Sequence, residues 1–180
     1  ATHLLDNGAD LRSVQELLNS PRVLQQWDDR PRDVQYLIDE LTKLSDALPQ
    51  LEDKLDNERI IVGGHSFGAH TTMLLAGLSL KSRRITETPN FRDPRIDATF
   101  MISPQGTGQS ITPQSYATMQ GPMLMITGDN DGSALQNKKD ADGHWRKQAY
   151  EHLPEGDKYL LWIDDAHHNF GGINGRSYPG

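Results

Sequence analysis

Residues 60–70 read "IIVGGHSFGAH". An apolar run enters two glycines, passes His65-Ser66-Phe67-Gly68, and gives way to residues that favour a helix. Gly64-His65-Ser66-Phe67-Gly68 fits G-x-S-x-G, in which a serine stands on a tight strand-to-helix turn. Such a turn strains the serine backbone, and Gly64 and Gly68 are both expected to relieve the crowding around it. The Ser66 hydroxyl is lifted above the sheet edge. The N–H groups that open the helix point toward it and favour developing negative charge. The Phe67 N–H is the expected oxyanion donor.

Outward from this turn, residues 59–65 predict a strand of continuous apolar character, as when both faces of a parallel sheet are covered. Residues 67–80 predict the helix that follows it. Upstream, 10–19 places Leu11, Val14, Leu17 and Leu18 on one helical face that ends at Ser20-Pro21. Residues 31–48 predict a longer helix with Pro31 in its first turn. Its apolar stripe is Val34, Leu37, Ile38, Leu41, Leu44 and Leu48, and Pro49 stops it. Downstream, strands are predicted at 96–103, 122–128 and 158–164. Between them lie a charged loop at 81–95, a long irregular connection at 104–121 and a helix within 133–153. The tail, 165–180, is rich in Gly, Asn and His.

Strands alternating with helices predict an α/β fold with a mostly parallel sheet. Ligands in such folds sit beyond the carboxyl ends of the strands. Three chemically loaded turns follow strands here: Ser66, the Asp129/Asp131 pair, and the His167/His168 pair. All are expected on one rim of the sheet. A serine hydroxyl needs a base to take its proton, and the base needs an orienting acid. The order serine, acid, histidine along the chain is the one expected with this turn.

The chain has 180 residues, enough for one domain over 1–180. Its net charge is −7 and it has no run of basic residues, which argues against nucleic acid as a partner. No apolar stretch approaches the roughly 18–20 residues of a membrane span. There is no cysteine, which removes disulfides, thiolate metal sites and a cysteine nucleophile together. The run after Asp129 lacks the Gly and Glu of an EF-hand loop, since Ala134 and Asp140 stand there. Neighbouring His167 and His168 point apart, so no metal site is expected. His65 reads as a packing or hydrogen-bonding neighbour of Ser66. His70 reads as a helix residue, exposed or in the core, while His3, His144 and His152 read as surface residues. Met101, Met119, Met123 and Met125 read as core or pocket wall, and Trp145 and Trp162 as packing.

Five segments together carry a resemblance: "RPRDVQYLIDEL" (30–41), "RIIVGGHSFGAH" (59–70), "DPRIDATFMISPQG" (93–106), "PMLMITGDNDGS" (122–133) and "AHHNFGG" (166–172). In this order they resemble the α/β-hydrolases, and among them the dienelactone-hydrolase-like serine esterases. That group is similar to the platelet-activating-factor acetylhydrolases and the bacterial polyester hydrolases. The resemblance implies an α/β-hydrolase fold and a serine carboxylic-ester hydrolase that forms an acyl-enzyme. True dienelactone hydrolases use cysteine; Ser66 in its place implies a plain, small or short-chain ester as substrate. A family pattern resembling G-x-x-D after the third strand selects Asp131, with Asp129 as alternate and turn cap. One resembling H-x-F-G-G selects His168, with His167 as alternate. No cofactor or metal is implied.

The family's sheet has more strands before the nucleophile than this chain supplies. The N-terminal strands are therefore expected to be absent, together with the loop that gives a second oxyanion donor. The chain reads as the C-terminal portion of a longer domain, or as one whose sheet edge a homodimer covers. Two other functions fit the same residues. One is a non-catalytic binding module on a hydrolase fold, and the other is a thioesterase or acyltransferase using the same three side chains.

Overall fold

The computed structural model describes residues 21–48, 54–81, 89–108, 110–132 and 142–171. The helix predicted at 10–19 and much of the polar loop after 132 lie outside them. The described elements are α1 (Pro21–Ala47), β1 (Ile60–His65), α2 (Phe67–Leu75), β2 (Ile96–Ile102), a 3-10 turn (Pro113–Thr118), β3 (Met123–Asn130), α3 (His144–Glu151) and β4 (Lys158–His167). The four strands form one sheet in the order β1-β2-β3-β4, and every neighbouring pair is parallel. The expected α/β architecture is present.

Two helices depart from the sequence reading. α1 is already helical at Pro21 and runs through Pro31, which lies inside the helix and is buried. Proline at this position has no N–H to offer the carbonyl of Trp27, an interior defect that normally costs about 3 kcal/mol. Its φ is helical, however, and its ring is removed from water. The predicted stripe is only partly covered: Ile38 is buried, but Leu37 and Leu44 are exposed.

α2 stops at Leu75, five residues before the predicted end. Gly77 takes φ +108 and its N–H donates to the Leu74 carbonyl at 3.0 Å, while Leu78 N–H donates to Met73 O at 2.8 Å. This pair of bonds is a Schellman closure, which needs the left-handed conformation that glycine adopts without penalty. α2 is buried on nearly every side, from Ala69 to Leu75, as expected of a helix that is apolar all round.

The core lies between α2 and one face of the sheet. Met73 and Leu74 of α2 meet Met101 of β2 and Met123 and Met125 of β3, with Tyr116, Met119, Ala149 and Leu153 closing the cluster. All four methionines singled out in the sequence are buried. Trp145 is buried and its indole N–H donates to Thr107 O at 2.7 Å.

The other face differs from expectation. Register places Gly63, Phe100, Leu124 and Tyr159 in one row, with Ile126 and Leu161 in the next and Gly128 and Ile163 beyond. Ile61, Phe100, Tyr159, Leu161 and Ile163 are all exposed. Among the described residues nothing covers this face, although the strands carry the apolar runs of a sheet buried on both sides.

Candidate active site

Ser66 stands between β1 and α2 with φ 57 and ψ −110. A non-glycine residue here costs about 1–3 kcal/mol and persists only where its surroundings hold it. They do: Ser66 N–H donates to Ile102 O at 2.9 Å, and Ser66 O accepts from His70 N–H at 3.1 Å. The two glycines of the motif are not equivalent. A Cβ on Gly64 would lie 2.3 Å from the Gly68 carbonyl carbon and 2.4 Å from its oxygen, both rigid backbone. A Cβ on Gly68 would meet nothing within 4 Å. The expectation that both relieve crowding therefore holds for Gly64 alone: the helix backbone at Gly68 presses on the strand, and its own missing side chain would face open space.

The structure brings Ser66, His168 and Asp131 into one hydrogen-bonded chain. Ser66 Oγ is 2.9 Å from His168 Nε2, and His168 Nδ1 is 2.8 Å from Asp131 Oδ1. A carboxylate only accepts, so the proton of this second bond sits on Nδ1. Nε2 then presents a lone pair to the serine hydroxyl. Asp131 is fully buried, and its Oδ2 accepts from Thr127 Oγ1 at 2.8 Å. His168 is partly exposed. The Phe67 N–H occupies the first position of α2, where the helix itself supplies no acceptor.

β4 places His168 by an irregularity. It was predicted to end at 164 but continues to His167. Gly128 pairs with Ile163 and Asn130 with His167, so Asp129 alone on β3 lies opposite Asp164, Asp165 and Ala166 on β4. Asp165 takes φ 59 within that bulge. Bulges beside active sites re-aim the chain that follows them. Here His167 is left exposed at the strand end, while His168 enters the turn and reaches Ser66. Asp129, the alternate acid, lies within β3. Its carbonyl accepts from Gly143 N–H at 2.8 Å, while its Oδ1 is buried with no hydrogen-bond partner among the described residues. The turn that Asp129 was expected to cap is closed instead by Asp131 N–H, which donates to Gly128 O at 3.1 Å.

Three further side chains touch this constellation. His65 Nε2–H donates to the His168 carbonyl at 2.7 Å, and the two rings lie 4.8 Å apart. Burial holds the His65 pKa below the ordinary histidine value, in keeping with a neutral donor. Thr127 anchors Asp131 as described. Arg146 of α3 is buried with its guanidinium against Asp131 and His168. Only His65 was singled out in the sequence, as a neighbour. Thr127 is an unremarked strand residue, and Arg146 is one charge in the polar segment "HWRKQAY", so neither carries a motif. Among the described residues no group of three or more His, Cys, Asp or Glu converges as metal ligands do.

The model of the family described as platelet-activating factor acetylhydrolase, isoform II, matches residues 10–152. No curated protein matches the chain. Among solved structures, esterase 2 of Thermogutta terrifontis, in a form phosphoramylated by tabun, matches with a TM-score of 0.54 at 12% identity, over 81% of this chain and 55% of that one. The apo form of the same esterase matches with a TM-score of 0.44 at 13% identity, over 67% and 49%. The esterase domain of a Rhodothermus marinus protein gives 0.40 at 13%, over 70% and 59%. The chain thus spans about half the length of the solved structures it matches. The first likeness is one of fold. With the family match, the all-parallel sheet and its helices, it agrees with an α/β-hydrolase fold.

Proposed function

The chain belongs to the platelet-activating factor acetylhydrolase, isoform II, family, and from that premise we propose that it is a serine carboxylic-ester hydrolase acting through an acyl-enzyme. The observation that carries the reading is the hydrogen-bonded chain from Ser66 Oγ through His168 to the buried Asp131 carboxylate. In this reading Ser66 Oγ attacks the ester carbonyl carbon while His168 Nε2 takes the hydroxyl proton. Asp131 keeps the proton of Nδ1 in place and stabilises the imidazolium that forms. The carbonyl oxygen becomes an oxyanion beside the Phe67 N–H at the start of α2. One such donor is typically worth about 3–4 kcal/mol in the transition state. The tetrahedral species collapses, the alkoxide leaves with the proton from His168, and the acyl group stays on Ser66. Water then repeats the sequence: His168 takes its proton, and Ser66 leaves with that proton restored.

The substrates are small or short-chain esters, and the three side chains perform these steps without a cofactor. The test is hydrolysis of p-nitrophenyl acetate and butyrate by wild type and Ser66→Ala, with fluorophosphonate labelling of the serine. Labelling at Ser66, and a loss of at least about a thousandfold in kcat on substitution, are expected. Equal rates in the two chains would overturn the assignment.

A further inference from the structure

Arg146 is an unusual neighbour for a general base. It is 3% exposed, and its donors are directed at main-chain oxygens. Nε–H donates to Asp131 O at 2.8 Å, Nη1 donates to Ser103 O at 2.9 Å and Pro104 O at 3.1 Å, and Nη2 donates to Gly132 O at 3.3 Å. Nε also lies 2.9 Å from Asp131 Oδ1. Its single hydrogen follows the carbonyl, so the carboxylate contact is mainly one of charge. Nη2 lies 3.2 Å from His168 Nδ1.

That last contact decides the kind of role Arg146 can have. Nη2 only donates, and Nδ1 already spends its proton on Asp131 Oδ1 at 2.8 Å. A cation beside Nδ1 opposes an imidazolium, so Arg146 does not stabilise the charge that forms on His168. The groups facing His168 are Asp131 from the end of β3, Arg146 from α3, His65 from β1 and Ser66 from the turn. Asp131 alone among them favours a positive ring. What Arg146 adds is placement. A planar fork held by four carbonyls cannot follow the carboxylate if it swings. It ties the chain after β2 to the chain after β3, at Ser103, which itself takes φ 55. Asp131 is then held from one side by Thr127 and from the other by the guanidinium.

We infer that Arg146 is a positioning residue for ester hydrolysis, fixing the Asp131 carboxylate and the β2 and β3 ends so that His168 keeps its proton on Nδ1 and its lone pair toward Ser66. The inference rests on the serine-hydrolase reading given above. The experiment compares wild type, Arg146→Lys and Arg146→Ala with short p-nitrophenyl esters, with kcat expressed per site titrated by a fluorophosphonate. Arg146→Lys is expected to lose about 10–100-fold in kcat with KM within about twofold, because a point charge lacks the fork. Millimolar guanidinium should restore part of the Arg146→Ala rate, and ammonium should not. A purely structural residue would lower the number of titratable sites and leave kcat per site unchanged; that result, or full kcat in Arg146→Lys, overturns the inference. If neither variant folds, proton NMR of the wild type decides. An exchange-protected Arg146 Nη2 proton with a cross-peak to the His168 Nδ1 proton supports the assignment, and its absence overturns it. A wild type that neither labels at Ser66 nor turns over would instead sink the underlying hydrolase reading.

Discussion

His70 offers the sharpest link between burial and a measurable quantity. It sits one turn into α2, is 3% exposed, and both ring nitrogens lack hydrogen-bond partners among the described residues. Its ring stacks near Phe67 at 6.0 Å between centroids and meets Trp27 at 5.0 Å. Burial, aided by the charge of Arg30, pushes its pKa from 6.5 down to about 4. The unfolded chain therefore binds a proton that the folded chain refuses. Stability tied to His70 is whole above about pH 6.5 and is lost as pH falls toward about 4. At about 1.4 kcal/mol per pH unit the full loss is about 3 kcal/mol, of which about 2 kcal/mol has gone by about pH 5. His70→Leu keeps apolar volume and removes the titration. Urea unfolding at neutral pH and near pH 5, followed by tryptophan fluorescence, should show wild type losing about 2 kcal/mol more than the variant over that interval. Parallel losses in the two chains would refute the reasoning, because the proton would then not be excluded by this site.

The motif glycines should respond with opposite signs. Gly64→Ala is expected to destabilise by more than about 2 kcal/mol and to disturb Ser66, whereas Gly68→Ala should be neutral or stabilising by up to about 1 kcal/mol, both read from thermal melts. The open apolar sheet face should bind an anilinonaphthalene dye in the folded chain at neutral pH, and Leu161→Lys should weaken the emission. Unchanged dye emission on mixing with folded protein would contradict the openness of that face.

What the sequence disclosed and what it withheld divide along a physical line. The strand-turn-helix at Ser66 was legible because its steric demands are local: a serine on a strained turn requires glycine at a fixed spacing. The pairs Asp129/Asp131 and His167/His168 are legible because parallel strands bring their carboxyl ends to one rim, whatever separates them in the chain, and only the family resemblance singles out Asp131 and His168 within them. Arg146 and Thr127 are not legible, since their roles come from contacts that no spacing encodes. Arg146 meets Ser103 across 43 positions. The end of α2 falls five residues inside the helix predicted over 67–80. Ala76-Gly77-Leu78 is the signature of a Schellman closure, and the helix-favouring residues beyond it hid the stop. Pro31 reads as a helix opener because proline in a first turn and proline tolerated inside a helix carry the same local signature. The stretch from 165 reads as part of the tail, yet β4 continues to His167 on the far side of a bulge.

The bond from Ser66 N–H to Ile102 O has a consequence for how this molecule breathes. Ser103, the residue after β2, repeats the arrangement one strand over, with φ 55 and its N–H on Ile126 O at 2.8 Å. Both strained residues thus extend the sheet ladder by one rung past the formal end of their strands. A backbone in such a conformation would relax if it were free, so the rung and the strain stand or fall together. In amide hydrogen exchange, Ser66 and Ser103 should be protected like strand interiors, opening only with the sheet. The Ser66 main chain then belongs to the slowest-exchanging part of the protein, although it sits in the turn between β1 and α2.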